Sequence, residues 1–364
     1  MFSRCLLSIL GVFALPSLRA APALIPITYY ADWFPGAQFA GIYLALDRGY
    51  YRDAGLDLTI VPFAYGRKTA ALIDATPGRC GVATSEGYIF LQKRAAGADL
   101  KALGAVLPRA PAGFMSLRAT GIASARDFAG KTVGVHKFAD PLYRWFLRRA
   151  GVAESSAKMI FVDDDVTRLT RGEVAAMQGF AIEEFVKLRH LVGEEARFLA
   201  FAELGFDSYS QLIYTTAPQV SRHRETLRQF LAATRRGWVA ALADPEAALA
   251  ALRPRLDPAT YDESFQRACL LALRDYVTPD GQPPLAPLDP EKLSRLQAAC
   301  ADIGFLKTPE PISAFLVEVE RVDPTRLTVA RPQNRRLEVK SLHPTAPHAS
   351  RLAPDSDGRA HLAP

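Results

Sequence analysis

Residues 25–61 read IPITYYADWFPGAQFAGIYLALDRGYYRDAGLDLTIV, and their pattern predicts a β-α-β unit. The apolar run Ile25 to Tyr30 predicts a strand, and the apolar residues of Phe39 to Gly55 recur at helical spacing. Leu56 to Val61 again has the composition of a strand. Gly55 is suited to the left-handed conformation in which many helices end. This unit sets the fold class that the rest of the chain repeats.

The alternation of strand and helix continues in two further blocks. The first block has strands at Cys80 to Thr84 and Leu103 to Leu107 with a helix at Ile89 to Ala96 between them. The second block has strands at Lys131 to Val135 and Met159 to Val162 and helices at Pro141 to Ala150 and Ala181 to Leu191. Such repetition predicts an α/β fold with a parallel or mixed sheet and helices on both of its faces.

Two short β-type runs lie at the two ends of the second block. They are Phe114 to Leu117 and Gln211 to Tyr214, and we interpret them as strands that cross between two lobes. The prediction is therefore a discontinuous lobe 1 at 24–114 and 215–322 and a lobe 2 at 115–214. A ligand cleft is expected between the two α/β lobes.

After about residue 220 the pattern is helical only. The pairs Asp244-Pro245, Asp257-Pro258 and Asp289-Pro290 each place an N-cap acceptor before a proline that suits the first helical position. They predict three helix starts in sequence. We expect these helices to pack back onto lobe 1.

The two ends of the chain have a different character. Residues 1–23 have the order of a secretory signal peptide, with Arg4, an apolar run from Cys5 to Leu15 and small residues up to Ala23. The alternative is a buried N-terminal helix. The segment 323–364 is rich in Arg, Pro, His and Ala without an apolar period, which predicts a disordered tail. We therefore expect an exported, soluble, periplasmic protein.

Composition limits the classes of function. The chain has 364 residues, 49% of them hydrophobic, which is enough for about two domains with a large core. Of its net charge of +6, the two arginines of the first 23 residues and an excess of three positive charges in the last 34 leave +1 for the body. We therefore expect no nucleic-acid partner. Cys80, Cys269 and Cys300 are an odd number, so no disulfide framework is predicted, although a Cys269–Cys300 bond is conceivable.

The segment from Asp32 to Leu58 resembles a known family. Its motifs W-x-P-x-x-x-x-x-G-x-Y-x-A (33–45) and Gly49-Tyr50-Tyr51 followed by Gly55-Leu56-Asp57 are similar to the opening of thiamine-pyrimidine-precursor-binding periplasmic proteins, the NMT1/THI5-like and SsuA-like family. Thr84-Ser85-Glu86, Gly130 to Val135 and Gly205 to Tyr209 agree in order, so the resemblance covers roughly residues 25 to 320. It implies the type II periplasmic binding protein fold and a solute-binding function.

Candidate binding residues in lobe 1 follow two predicted strands. Asp32 and Trp33 come directly after the first strand, at the carboxyl edge of the sheet where open α/β sheets bind ligands. Trp33 could stack on a planar ring, with core packing as the alternative. Gln38 offers donors and an acceptor, with a helix cap or a solvated face as the alternative. Ser85 and Glu86 follow the strand that begins at Cys80 and precede a helix, so they too can meet a polar ligand.

Candidate residues in lobe 2 come mainly from the resemblance. The segment from Gln178 to Glu184 is similar to the family's G-Y-x-x-x-E segment, so Phe180 is expected to give a second aromatic face and Glu184 a carboxylate for an aminopyrimidine edge. His136 and Phe138 follow a predicted strand and are weaker candidates, with a surface loop as the alternative for His136.

The resemblance leaves three functions open. The first is an import receptor that binds a small aromatic heterocycle and delivers it to a membrane ABC permease with a cytoplasmic ATPase. The second is an extracytoplasmic sensor for a signalling partner. The third is a pyrimidine synthase, which is disfavoured because Ala75 and Arg79 stand where the family's fungal enzymes use lysine and histidine. We expect a monomer without cofactor, catalytic residue or metal, and the ligand is open between a pyrimidine, a flavin and a sulfonate.

Overall fold

A computed structural model describes residues 23–75 and 78–319. Within these ranges ten strands form two five-stranded sheets. The first sheet contains β1 (Ile25–Tyr30), β2 (Leu56–Val61), β3 (Cys80–Ser85), β4 (Leu100–Leu107) and, reached only late in the chain, the strand Ser210–Thr216. The second contains β5 (Ala112–Leu117), β6 (Thr132–Val135), β7 (Lys158–Phe161), β8 (Ala176–Phe180) and β9 (Ala196–Ala200). Ser210–Thr216 is β10. The two α/β lobes predicted from the sequence are confirmed.

Both sheets have the same mixed topology. In the first, with the order β2-β1-β3-β10-β4, β1 is parallel to β2 and β3, and β10 is antiparallel to β3 and β4. In the second, with the order β7-β6-β8-β5-β9, β6 is parallel to β7 and β8, and β5 is antiparallel to β8 and β9. The carboxyl ends of β1 and β3, and of β6 and β8, therefore lie at one edge of their sheets, where loops can meet a ligand.

Eleven α-helices accompany these strands in the described ranges. They are α1 (Ala40–Asp47), α2 (Tyr50–Asp53), α3 (Thr69–Ala75), α4 (Gly87–Ala95), α5 (Asp140–Ala150), α6 (Thr167–Thr170), α7 (Glu184–Val192), α8 (Ala217–Ala243), α9 (Pro245–Leu252), α10 (Glu263–Val277) and α11 (Pro290–Ile303).

The single helix predicted over 39–55 is two helices. Gly49 adopts φ 72° between α1 and α2, a left-handed conformation that glycine takes at no steric cost and that interrupts the helical hydrogen bonds. Gly55, with φ 77°, follows the end of α2 as predicted.

Two of the three predicted helix starts after residue 220 are confirmed. The Asp244 side chain accepts from Ala247 N at the start of α9, and Asp289 accepts from Glu291 N at the start of α11. The start at Asp257-Pro258 is wrong, because α10 begins at Glu263 and Asp262 is its N-cap. The Asp262 carboxylate accepts from Phe265 N at 3.0 Å, a cap that needs no proline.

The interpretation of two crossing strands is also wrong. β5 pairs only within the second sheet and β10 only within the first. The chain passes between the lobes through the irregular segments 108–111 and 201–209. The predicted limits of lobe 2, 115 and 214, accordingly fall inside β5 and β10.

Closely packed helices cover the core of lobe 1. Helices α1, α8, α9 and α10 contribute buried residues to one apolar cluster over β1 and β2. A Cβ atom on Gly237 of α8 would lie 2.1 Å from the Gly41 carbonyl oxygen of α1, so only glycine allows this approach. Helix α11 packs on α4 of lobe 1 and on α5 of lobe 2, and it therefore bridges the two halves.

Further predictions concern cysteines and the chain ends. Cys80, Cys269 and Cys300 are free and buried, so the conceivable Cys269–Cys300 bond is not formed. In residues 23–75 and 78–319, no helix has the length and apolarity needed to cross a bilayer. The predicted signal peptide, except for Ala23, and the predicted tail, 323–364, lie outside the described residues.

Candidate ligand-binding site

A cleft of about 480 Å³ lies between the two lobes, a volume that includes solvent at its mouth. Residues from the β3–α4 turn, the β6–α5 loop, α5, β8, the connecting segments and the loop after α11 form its wall. They are Glu86, Tyr88, Ala110, Ala112, Phe138, Ala139, Leu142, Gln178, Phe180, Phe201, Phe206, Ser208 and Phe305.

Six of the thirteen residues in this wall are aromatic, and they come from both sides. Phe138 and Phe180 belong to lobe 2 and Tyr88 to lobe 1, while Phe206 lies in a connecting segment and Phe305 follows α11. The Tyr88 ring stacks on Phe305 with an interplanar angle of 23°. Phe138 is 48% exposed and is therefore free to contact a bound ring. Such a wall suits a planar, apolar ligand.

Glu86 is the acid of the cleft. It is the residue before α4, and its Oε1 accepts a hydrogen bond from Ser210 Oγ on β10. Burial and, to a lesser extent, the nearby Asp32 carboxylate raise the pKa of Glu86 to about 8, against the lowering effect of Ser210. Glu86 is therefore largely protonated at neutral pH.

Lobe 2 contributes an amide. Gln178 is 2% exposed near the end of β8, and its Oε1 accepts from the backbone N–H of His136 at 3.1 Å. His136 itself is only 8% exposed, so a surface loop is the wrong description of it. The Nε2 atom of His136 lies 3.3 Å from Asp164 Oδ1. This contact with the imidazole holds the pKa of the Asp164 carboxyl below its usual value.

The structure places three of the nine predicted residues in the wall of the cleft: Glu86, Phe138 and Phe180. Ser85 is buried behind Glu86, with its hydroxyl donating to the Glu86 carbonyl oxygen at 3.2 Å. His136 is not in the wall, but its backbone N–H donates to Gln178 and its ring centroid lies 5.4 Å from that of Phe138. The binding role of the nine residues stays a prediction.

Asp32, Trp33 and Gln38 lie outside this wall. The Trp33 ring is 43% exposed and packs on Phe34 and Phe63, with ring centroids 5.7 and 5.4 Å away. The Asp32 carboxyl is buried, and burial raises its pKa to about 6. The Gln38 side chain folds back over Gly36, where a Cβ would lie 2.5 Å from its Oε1.

Glu184 also lies outside the wall, although the resemblance predicted that its carboxylate would face the ligand. The residue is 5% exposed at the start of α7, and its Oε2 accepts from the backbone N–H of Phe180 at 2.8 Å. Burial raises the pKa of Glu184 to about 7, and neighbouring Glu183 adds to the rise. In this structure Glu184 holds the end of β8 in place.

Sequence reasoning missed several residues of the wall. Gln178 precedes the Gly179-Phe180 pair of the family-like segment, and Ser208 lies in the Gly205 to Tyr209 segment, so both were within motifs already quoted. Phe305 follows α11, far along the chain from any motif, and no sequence signal marks it. Only the packing of α11 against both lobes brings it to the cleft.

The arrangement of two sheets around a cleft agrees with comparisons to known proteins. The family model described as NMT1/THI5 like matches residues 36–248, more than half of the chain. The chain belongs to the NMT1/THI5-like family. The periplasmic aliphatic sulphonate binding protein SsuA from Escherichia coli has the same fold, with a TM-score of 0.59 at 16% identity, over 85% of this chain and 98% of that protein.

Relatives within the NMT1/THI5-like family have more than one function. A riboflavin-binding protein, RibY, of Chloroflexus aurantiacus is 28% identical over 65% of this chain and 68% of its own length. A formylaminopyrimidine-binding protein of Halalkalibacterium halodurans is 23% identical, over 71% of this chain and 80% of its own length. A 4-amino-5-hydroxymethyl-2-methylpyrimidine phosphate synthase of Legionella pneumophila is 24% identical, over 70% and 82%. The chain is therefore similar both to proteins named as binding proteins and to a protein named as an enzyme.

Ala75 and Arg79, the two positions at which the resemblance disfavoured a synthase, do not line the cleft. Ala75 ends α3, and the Arg79 guanidinium donates to Thr28 Oγ1 at 3.2 Å and Thr59 Oγ1 at 3.0 Å, across β1 and β2. Arg79 therefore has a structural contact within lobe 1. In the described residues, no group of three or more His, Cys, Asp or Glu side chains is placed to hold a metal ion. Within the run Asp163-Asp164-Asp165, the Asp165 carboxylate accepts from Thr167 N at the start of α6.

Proposed function

We propose that this NMT1/THI5-like protein is the periplasmic solute-binding component of an ABC-type importer and captures a small, uncharged heteroaromatic compound between its lobes. The observation that carries the proposal is the cleft, whose wall of aromatic rings from both halves surrounds a few polar groups. In such a site the rings bind the faces of the ligand and the polar groups select its edge.

The charge of the wall favours an uncharged ligand over a sulfonate. Among the described residues that line the cleft, none is Lys, Arg or His, and Glu86 is the single ionisable acid. A sulfonate in this position would be desolvated beside a carboxyl group without a cation to pair with it, which is strongly unfavourable. A thiamine pyrimidine precursor and a flavin ring are both compatible with this environment.

Delivery follows from motion of the lobes. Ligand bound between two α/β lobes stabilises the closed arrangement, and a permease with a cytoplasmic ATPase recognises that form in this proposal. A sensing role would use the same closure. A synthase role has less support, because Ala75 and Arg79 cannot act as a Schiff-base amine and a general base.

A binding screen tests the proposal. Purified protein is titrated calorimetrically with riboflavin, 4-amino-5-hydroxymethyl-2-methylpyrimidine and an alkanesulfonate such as MOPS. We expect saturable binding of one of the two heteroaromatic compounds and none of the sulfonate. Tight binding of the sulfonate, or turnover of the pyrimidine, would contradict the proposal.

Two matched aromatic variants locate the site. Phe180→Ala removes a ring from the wall of the cleft and should weaken binding at least about tenfold, because an aromatic side chain contributes both buried area and stacking. Trp33→Ala removes a half-exposed ring outside that wall and should weaken it less. A larger loss for Trp33→Ala than for Phe180→Ala would restore the stacking role that the sequence suggested for Trp33.

A further inference from the structure

This inference rests on the proposed function and concerns the edge of the ligand. We propose that Glu86 and Gln178 both donate hydrogen bonds into the cleft, so that the ligand is an uncharged heteroaromatic ring with acceptor atoms facing each lobe. Carbonyl oxygens and unprotonated ring nitrogens are such acceptors. A dioxopyrimidine ring, as in a flavin, offers such acceptors without an exocyclic amino group, whereas an aminopyrimidine carries a donor beside its ring nitrogens.

A hydrogen bond from the β6–α5 loop fixes the orientation of the Gln178 amide. The backbone N–H of His136 can only donate, and it lies 3.1 Å from Gln178 Oε1. The amide oxygen is therefore engaged on the side of the β6–α5 loop, and the Nε2 amino group is the part left to contact a ligand. Gln178 is 2% exposed, so its side chain has little freedom to turn over.

The protonation of Glu86 is set by its surroundings. Oε1 accepts from Ser210, which leaves Oε2 to carry the proton and to donate. The titratable groups around it are Asp32 after β1, Tyr88 in the first turn of α4, and Lys93 further along α4. Lys93 does not neutralise Glu86, because its Nζ donates to Tyr214 OH at 3.1 Å and its charge acts on Asp32.

Glu184 offers no matching acceptor for an amino group. Its Oε2 accepts from Phe180 N–H, and it does not line the cleft. A ligand amino group facing Gln178 Nε2 or a protonated Glu86 would place two donors together. The pattern of donors therefore selects against an exocyclic amino group at these two contacts.

The pH dependence of binding separates the two ligand classes. Affinity for riboflavin and uracil, two compounds with a dioxopyrimidine ring, is measured by calorimetry between pH 6 and 9.5, beside 4-amino-5-hydroxymethyl-2-methylpyrimidine. Burial raises the pKa of Glu86 to about 8, so affinity for the dioxo compounds should be constant below that pH and fall about tenfold per pH unit above it.

Two variants assign this dependence to residues. Glu86→Gln keeps an acceptor for Ser210 and a donor for the ligand at every pH, so its affinity for the dioxo compounds should not fall above pH 8. Gln178→Glu keeps the acceptor for His136 N but removes the donor, and should cost about tenfold. Glu194→Gln, at a side chain that is 86% exposed, is the control and should leave the profile unchanged.

The outcomes are distinct. Preference for the aminopyrimidine, or an affinity for the dioxo compounds that stays level or rises above pH 8, overturns this inference and leaves the proposed function intact. Binding of none of the three heteroaromatic compounds overturns the proposed function, and this inference with it. Should Gln178→Glu fail to fold, the wild-type pH profile and Glu86→Gln still decide the matter.

Discussion

Burial in lobe 1 shifts the pKa values of residues close to the carboxyl ends of β1 and β3. Burial raises the pKa of Asp32 to about 6 and that of Glu86 to about 8, and it lowers the pKa of Lys93 to about 8. The two acids also disfavour each other's charge. In the ligand-free protein the burial of these two acids lowers the free energy of unfolding. Groups with such shifted pKa values are typical of binding sites.

This loss of stability predicts a pH-dependent stability difference for Glu86→Gln. The unfolded chain loses the Glu86 proton near pH 4.5 and the folded protein near pH 8, so wild-type stability falls as pH rises between these values. The glutamine that replaces Glu86 does not titrate, so the free energy of unfolding of the variant should rise relative to that of the wild type by roughly 1.4 kcal/mol for each pH unit between these two values. We therefore expect Glu86→Gln to melt at a higher temperature than wild type at pH 8 and at a similar temperature at pH 4.5.

Thermal unfolding of the ligand-free protein, followed by circular dichroism across this range, checks the prediction. Glu194→Gln again serves as the exposed control. Equal melting temperatures of Glu86→Gln and wild type at pH 8 would show that Glu86 is ionised in the folded protein.

At the scale of elements, side-chain caps rather than prolines fix where the late helices begin. Asp244 and Asp289 cap helices that have proline at the first position, whereas α10 begins after Asp262 without one. Asp257 precedes Pro258 and caps only a turn, through its bond to Ala259 N at 2.9 Å. Residues 258–260 are exposed, so a helix starting there would have no apolar face to bury against the protein.

Asp262→Ala is expected to destabilise the protein by about 1 kcal/mol, because it removes the acceptor for Phe265 N at the start of α10. Asp257→Ala is the matched control and should cost less. Chemical denaturation at pH 7 measures both.

Burial opposes ionisation of Asp262, but hydrogen bonds from the Ser264 hydroxyl and from Phe265 N hold the pKa of its carboxyl below the usual value. The difference between wild type and Asp262→Ala should therefore shrink as pH falls through the range of the carboxyl group. An equal loss for the two variants would show that the Asp262 cap contributes nothing to α10.

At the scale of the whole molecule, α11 determines how the lobes meet. Trp145 Nε1 of α5 donates to Asp302 Oδ2 at 2.6 Å, and Arg148 donates to the Asp302 carbonyl oxygen at 2.7 Å. Asp302 is on α11, which also packs on α4 of lobe 1. On the other side of the molecule α7 of lobe 2 packs on α10. The cleft is therefore bounded by contacts that must loosen when it opens.

Asp302→Ala should favour a more open ligand-free protein, since it removes the side-chain contact between α11 and Trp145. We expect a larger radius of gyration in small-angle X-ray scattering, which returns to the wild-type value on addition of a ligand. Glu291→Ala, on the same helix with a side chain that is 86% exposed, is the control. Scattering of Asp302→Ala identical to wild type would mean that this contact does not restrain the lobes.

Much of the fold follows from local pattern. The apolar periods of strands and helices, the glycine after α2 and the caps at Asp244 and Asp289 act within a few residues, so the sequence reveals them directly. The motif around Trp33 and Tyr43 identifies the family, which the match over residues 36–248 confirms. The break at Gly49 was missed because a glycine inside an apolar period is compatible with a continuous helix or with two.

The cleft itself depends on tertiary structure. Phe305 and Ser208 reach it only because α11 and the connecting segments meet both lobes, and no local pattern encodes such a contact. The sequence by itself determined two α/β lobes, the loops at the ends of β3, β6 and β8, and the presence of Glu86, Phe138 and Phe180 among the candidates. Tertiary structure alone decided which of those side chains line the cleft, because orientation and protonation depend on partners distant in the chain, such as Ser210 for Glu86 and His136 for Gln178.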